Sequence, residues 1–340
     1  MRALLVRPGP QFSVADVHNG WRDALISLGI DVAEYELDAR LNFFSHAKLQ
    51  IDGELRNAFS GDAAARLAAA GVKQALYDFW PDVVLVTSGF FIPPEFYEVI
   101  RARGHKLVAL FTESPYEDDR QLARAHHFDL VLINDPTNLE QFRTINPNTH
   151  YVPHAYRPEI HKPGPIDPDL MCDLAFVGTG YPSRTEFFRA CDLDDLQVKF
   201  AGNFQAVKDD PWFVDRMCHP IEFCCDNADA IRLYQSARAS LNLYRKEASA
   251  ELLATGWAMG PREVELAATG TFFLREPRPE GDEVFSMLPT FTEPAEIRPL
   301  LDWWLANPAA IERATVAARA AIADRTFANH ARWLLELLAF

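Results

Sequence analysis

Short apolar runs separated by amphipathic stretches recur through the first half of the chain. β-rich runs at 3–6, 32–37, 83–86, 107–111 and 130–133, with a short one at 151–152, alternate with segments of helical period near 14–29, 62–79, 93–103, 118–126 and 136–144. This alternation predicts a parallel sheet with helices on both faces, a doubly wound domain. Periodicity lapses between Tyr151 and Leu170, where Pro153, Pro158, Pro163, Pro165 and Pro168 predict an extended linker. It restarts with a strand at 173–178 and continues through a strand at 198–201, a helix near 226–237, a strand at 239–244, a helix at 261–269 and a strand at 271–274. Three helical stretches close the chain at 293–306, 308–324 and 327–338, with Trp303, Trp304 and Trp333 on apolar faces, where core packing is expected.

The expected fold class is α/β, two Rossmann-like doubly wound domains facing across a cleft, with C-terminal helices. The first domain spans 1–155, a proline-rich linker 156–170 and the second domain 171–325; a final helix over 326–340 packs back on the first domain. In such domains ligands bind beyond the carboxyl ends of the strands. The length of 340 residues suits two cores, and 49% hydrophobic with 24% charged residues is ordinary for a globular protein. A formal charge of -15, from 48 acidic and 33 basic side chains, argues against sequence-independent duplex binding and makes a nucleic-acid partner unexpected. The five cysteines show no C-x-x-C pair and no ordered Cys/His spacing for zinc. The N-terminal residues read as a first strand and not a signal peptide, and no apolar stretch reaches a membrane span, so a cytoplasmic location is expected.

Candidate chemistry concentrates in the second half. In Pro261-Arg262-Glu263-Val264-Glu265-Leu266-Ala267-Ala268-Thr269-Gly270 a proline opens a helix and a glycine ends it. Arg262 and Glu265, three apart, share one face near the helix N-terminus, where backbone N–H groups already favour an anion. Such a face offers a cation and amides for phosphate and a carboxylate for a diol; it would equally serve as a surface ion pair. Gly178-Thr179-Gly180-Tyr181-Pro182-Ser183-Arg184 follows a strand and precedes a helix, with Ser183 as the expected N-cap and Arg184 as counter-charge to a phosphate or sugar. Asn242, Arg245 and Lys246 close a strand at the ligand edge, and the apolar loop 252–260 leads into the Arg262 helix. In the first half, Glu113 at a strand end and His18 after the first strand are candidate acid/base groups, and Asp135 is read as a helix cap. His154, at the hinge, is placed near the donor side. Asp192-Leu193-Asp194 and Asp167-Pro168-Asp169 match the Asp-x-Asp string that can hold a divalent cation, and are read as structural.

The second half resembles the CgeB-like (spore maturation protein) branch of the group-1 glycosyltransferases, of GT-B architecture. The resemblance rests on 151–155 through Pro163, on 173–178 with Arg184, on Ser240-Leu241-Asn242, on Arg262-x-x-Glu265 with Ala268 and Gly270, and on Thr326-Phe327-Ala328-Asn329-His330. It implies that Glu265 holds the ribose hydroxyls of a nucleotide sugar and that Arg262 lies close to the donor phosphates. The broader group often carries a second glutamate eight residues earlier, where this chain has Trp257. Taken with the reading of the residues themselves, the expected donor set is Glu265, Arg262, Arg184, Gly178, Thr179, Gly180, Asn242, Arg245, Gly270 and His154, with Arg262, Glu113 and His18 as catalytic candidates. The expected activity is glycosyl transfer from a nucleoside diphosphate sugar, most naturally a UDP-sugar, to an unidentified acceptor, metal-independent and of retaining course. Alternatives on the same scaffold are a sugar-nucleotide epimerase or hydrolase, a non-catalytic sugar-nucleotide-binding protein and a DNA-base glycosyltransferase.

Overall fold

The computed structural model describes residues 1–9, 14–247 and 256–338. These fall into two units, one of 1–153 with Gly256 and 327–338 and the other of 154–247 with 257–326. The segment 154–170, which its prolines mark as an extended linker, belongs to the second unit and is tied to it. The Asp167 N–H donates to Ser236 Oγ at 2.9 Å, the Asp167 carboxylate meets Arg232 at 2.6 Å, and Gln235 donates to the Lys162 carbonyl at 2.7 Å. Proline stiffens this segment, and side chains of the helix at 227–236 supply the hydrogen bonds that its missing N–H groups cannot.

The first unit runs β1 (Arg2–Val6), α1 (Ala15–Ser27), β2 (Asp31–Tyr35), α2 (Leu37–Ser45), β3 (Lys48–Ile51), β4 (Glu54–Asn57), α3 (Gly61–Ala70), α4 (Val72–Phe79), β5 (Val83–Thr87), α5 (Pro94–Ala102), β6 (Lys106–Phe111), α6 (Asp118–Ala125), β7 (Leu130–Ile133), α7 (Leu139–Ile145) and β8 (Thr149–Tyr151). Its main sheet has the order β2-β1-β5-β6-β7-β8, all parallel. Every residue of β5 and β7 is buried, as expected for strands covered on both faces. The single helix read over 62–79 is two helices meeting at Gly71, where the Tyr35 ring leaves no room for a Cβ. α2 and the β3–β4 hairpin, a separate antiparallel pair, were not among the predicted elements.

The second unit comprises β9 (Cys172–Val177), α8 (Pro182–Ala190), β10 (Val198–Ala201), α9 (Pro211–Val214), α10 (Asn227–Ser236), β11 (Ala237–Asn242), α11 (Pro261–Thr269), β12 (Phe273–Arg275), α12 (Pro279–Val284), α13 (Ile297–Leu305) and α14 (Pro308–Ala321). Its parallel sheet has the order β10-β9-β11-β12. The core is rich in aromatic rings, with Phe176, Phe188, Phe200 and Phe213 meeting mostly edge to face. Trp304 stacks on Phe272 within this core, whereas Trp303 is more than half exposed, against the core role expected of it.

The last helix, α15 (Phe327–Leu337), belongs to the first unit. It lies against α1, where the Phe327 ring meets Trp21 and fills the space beside Gly20; a Cβ at Gly20 would approach that ring to 2.3 Å. Among the described residues no helix is long and apolar enough to cross a membrane.

Candidate functional site

In the second unit the loops after β9 and β11 and the N-terminus of α11 gather at the carboxyl ends of the strands, the edge where parallel α/β sheets take ligands. Two glycines let the first of these loops close. Gly202, at φ +118°, passes so near Gly178 that a Cβ would lie 2.2 Å from the Gly178 carbonyl oxygen, and a Cβ on Gly180 would enter the Phe204 ring at 2.4 Å. α8 begins at Pro182, so Ser183 sits inside its first turn and is not the expected N-cap. The Ser183 N–H instead donates to the Glu247 carboxylate at 2.9 Å. Burial works against the charge of Glu247, yet the Ser183 N–H at the positive end of α8 holds its carboxyl below the usual range.

Arg184 bridges two of these loops. Its guanidinium donates to the Thr179 carbonyl at 3.1 Å and to the Leu243 carbonyl at 2.7 Å, with its charge over the Phe176 and Tyr181 rings. Arg245 also has its charge near the Tyr181 ring, and donates to the Glu247 carbonyl at 2.6 Å. Asn242, buried at the end of β11, has a side-chain Nδ2 with no hydrogen-bond partner among the described residues. A buried amide donor left open at a strand's carboxyl end is costly unless something binds there.

α11 supplies the anion-binding end. Arg262 donates to Glu265 at 2.8 Å, and Glu265 is 8% exposed, so the pair is mostly withdrawn from water and is not a solvated surface pair. In the same first turn, Glu263 is fully buried. Its carboxylate accepts from the Gly260 N–H at 2.8 Å and from the Tyr244 hydroxyl in a short contact. Burial raises the Glu263 carboxyl to about 7, against the pull of those two donors and of Arg275 and Arg278. Glu280 fixes the approach to α11, accepting from the Met259 N–H at 2.8 Å and pairing with Arg325 at 2.7 Å. The expected loop 252–260 is only partly visible in these terms, since 252–255 lie outside the described residues.

Not every expected donor residue is here. Gly270 ends α11 in the left-handed conformation at φ +75°, about 12 Å along the helix from Arg262 and at the opposite edge of the sheet. Its place in the donor set is therefore corrected: it stops the helix and lets the chain enter β12. His154 is buried at the start of the second unit. Asp167 and Asp194, one from each Asp-x-Asp string, have partners. Asp167 caps the turn at Asp169 and pairs with Arg232, and Asp194 accepts from the Trp212 indole at 3.0 Å.

In the first unit His18 lies on α1, buried, with Nε2 2.9 Å from Glu34 and Nδ1 3.3 Å from Thr87. Neither ring nitrogen is available without breaking one of these contacts. Glu34, which also meets Arg7 and Arg22, is held down to about 2 chiefly by the His18 hydrogen bond, against its own burial. Glu113 is half-buried just beyond β6, and Asp135 caps the turn after β7, accepting from the Thr137 N–H at 2.8 Å. The groups that sequence reasoning missed are Glu247 and the Glu263–Tyr244 pair. Only Glu263 left a trace, as the third residue of the helix after Gly260.

Residues 184–338, which include Arg184, Asn242, Arg262 and Glu265, match the model of a family described as glycosyl transferase-like. The chain carries a glycosyltransferase domain on a GT-B fold. Sucrose-phosphate synthase from Thermosynechococcus elongatus aligns with this glycosyltransferase at a TM-score of 0.65 and 11% identity, over 100% of this chain and 99% of that one. A trehalose-6-phosphate structure from E. coli bound with UDP-2-fluoro glucose aligns at 0.65 and 12%, with the same coverage. HepE from Anabaena, in complex with UDP-glucose, aligns at 0.62 and 12%, again over 100% of this chain and 99% of that chain. At these identities the likeness is one of fold. No curated protein matches the sequence of this glycosyltransferase.

Proposed function

We propose that the protein transfers a sugar from a UDP-sugar to an acceptor, with the donor held by the second unit. The observation that carries this reading is the Arg262–Glu265 pair at the N-terminus of α11, its carboxylate buried and its guanidinium half-buried, together with the open Asn242 amide at the carboxyl end of β11. Glu265 gives one carboxylate oxygen to Arg262 and keeps its other for the ribose hydroxyls. Arg262 and the positive end of the α11 dipole face the diphosphate, where they stabilise the charge that develops as the glycosidic bond to phosphate breaks. Arg184 and Arg245 place two further cations at the loops after β9 and β11. Arginines and a helix terminus can neutralise a departing diphosphate, so the proposed transfer is metal-independent.

The first unit takes the acceptor, with Glu113 at the end of β6 as its acid/base group. UDP and UDP-glucose accompany several of the structurally similar proteins, which supports uracil as the base. One of them concerns glycosyl transfer with retention in trehalose-6-phosphate synthase, which supports a retaining course here. Within the group, the Arg262-x-x-Glu265 spacing favours the CgeB-like branch.

The test is calorimetric titration of UDP and UDP-glucose into the full chain, with and without chelator, for wild type and Glu265→Gln. Wild type should bind in either buffer. The variant should bind at least about tenfold more weakly, the loss expected for a charged hydrogen bond to a ligand hydroxyl. Equal affinity in the two proteins would remove Glu265 from the donor site, and no binding to wild type would overturn the reading.

A further inference from the structure

The β3–β4 hairpin stands outside both parallel sheets, and all eight of its strand residues are exposed. Leu55 is 73% exposed, Leu49 52% and Ile51 43%, while Phe43 on the preceding helix is 72% exposed. A two-stranded sheet has two open edges, and an open edge with apolar side chains is a template for another strand. The two edges differ in what they can accept. Asp52-Gly53 is a two-residue turn with φ of +53° and +86°, which makes Ile51 and Glu54 the hydrogen-bonded closing pair. Bonding then alternates, so the Gln50/Leu55 pair is not hydrogen-bonded within the hairpin, and the Leu55 N–H and C=O point out from the β4 edge.

We propose that two copies of this chain pair antiparallel through their β4 edges, around a two-fold axis at Leu55, to make a four-stranded sheet. In that register Leu55 exchanges both backbone hydrogen bonds with Leu55 of the second copy, and their side chains cover each other on one face. On the other face Glu54 lies opposite Arg56 of the second copy, and Arg56 opposite its Glu54. The triplet Glu54-Leu55-Arg56 is thus complementary to itself when reversed, which is what a two-fold interface requires. Within one copy Arg56 and Glu54 are 3.8 Å apart on the same strand face, both largely exposed, so each has room for the second partner. The β3 edge, Lys48-Leu49-Gln50-Ile51, has a single charge and no such self-complement. The short strand buries little area, so the dimer forms in the micromolar range and is concentration-dependent.

Sedimentation velocity on the full chain, from about 1 to about 200 μM, tests this. Wild type should pass from monomer to dimer over that range. Glu54→Arg sets two cations opposite each other at both ends of the contact, and Arg56→Glu sets two anions; each should weaken dimerisation at least tenfold. Combining Glu54→Arg with Arg56→Glu restores opposite charges in inverted order, and should return the dimer constant to within about threefold of wild type. All three variants alter exposed side chains only, and circular dichroism checks that they remain folded. A wild type that stays monomeric overturns the proposal. So do single variants that dimerise like wild type, or a double variant no better than the singles.

Discussion

Glu263 is the residue whose environment departs furthest from what its sequence context suggests. In a helix beginning Pro261-Arg262-Glu263 a carboxylate in the first turn ordinarily faces solvent and complements the dipole, yet here it is fully buried under Tyr244 and beside Arg275. Its carboxyl, raised to about 7, binds its proton more tightly in the folded chain than in the unfolded one, where about 4.3 is normal. The folded state therefore holds more protons between those values. The stability contributed by protonated Glu263 is fully present below pH 4 and is lost as pH rises through about 7. Glu263→Gln removes the titration and keeps the shape. We expect the melting temperature of wild type relative to this variant to fall between pH 4.5 and 7.5, by an amount on the order of 3 kcal/mol in stability. A difference that does not change with pH would contradict the buried, proton-holding state. Sequence could not show this, because burial of Glu263 depends on Arg275, Arg278 and Tyr244, which come from other segments. Arg262 and Glu265 were legible, because their relation is three residues along one helix.

At the scale of elements, legibility followed how much of each element's reason for existing is local. The fully buried parallel strands β5 and β7 announce themselves as apolar runs, and α11 carries its own start and stop in Pro261 and Gly270. The β3–β4 hairpin makes no long apolar run, although Leu49, Ile51 and Leu55 around Asp52-Gly53 follow hairpin grammar. Ser183 was misplaced as a cap because Pro182 can occupy the first helical position, and the carboxylate that meets this helix end comes from Glu247, over sixty residues on. That contact has a consequence for the proposed donor site. Glu247 puts an anion on the α8 N-terminus, in the loop cluster that also holds Arg184 and Arg245, so it would repel a donor diphosphate held by those arginines. Glu247→Gln keeps the hydrogen-bond acceptor and removes the charge. We expect it to tighten UDP binding about threefold to tenfold by calorimetry, since a carboxylate at a helix N-terminus contributes of order 1 kcal/mol. Weaker binding in this variant would show instead that Glu247 helps to shape the site.

Across the whole molecule the chain builds two separate aromatic and aliphatic cores, one around β5, β6 and β7 and one around β9, β10 and β11, and then returns α15 to the first unit. The crossing is written in Phe327, whose ring needs the space that Gly20 leaves open on α1. Two cores allow two unfolding steps, and a ligand stabilises the unit that binds it by mass action. If the donor is held by Arg262 and Glu265 at the start of α11 and by Asn242 at the end of β11, saturating UDP should slow amide exchange in 176–184, 240–247 and 260–268. Exchange in the core strands Val83–Thr87 and Lys106–Phe111 should stay as it was. Hydrogen exchange with mass spectrometry reads both sets of peptides from one sample, and Glu265→Gln should need at least about tenfold more UDP for the same protection. Protection confined to the first unit would move the nucleotide there and leave the open Asn242 amide and the Arg262–Glu265 pair without a ligand. Protection spread equally over both cores would mean that the two units unfold as one, and that the separation of their cores has no energetic counterpart.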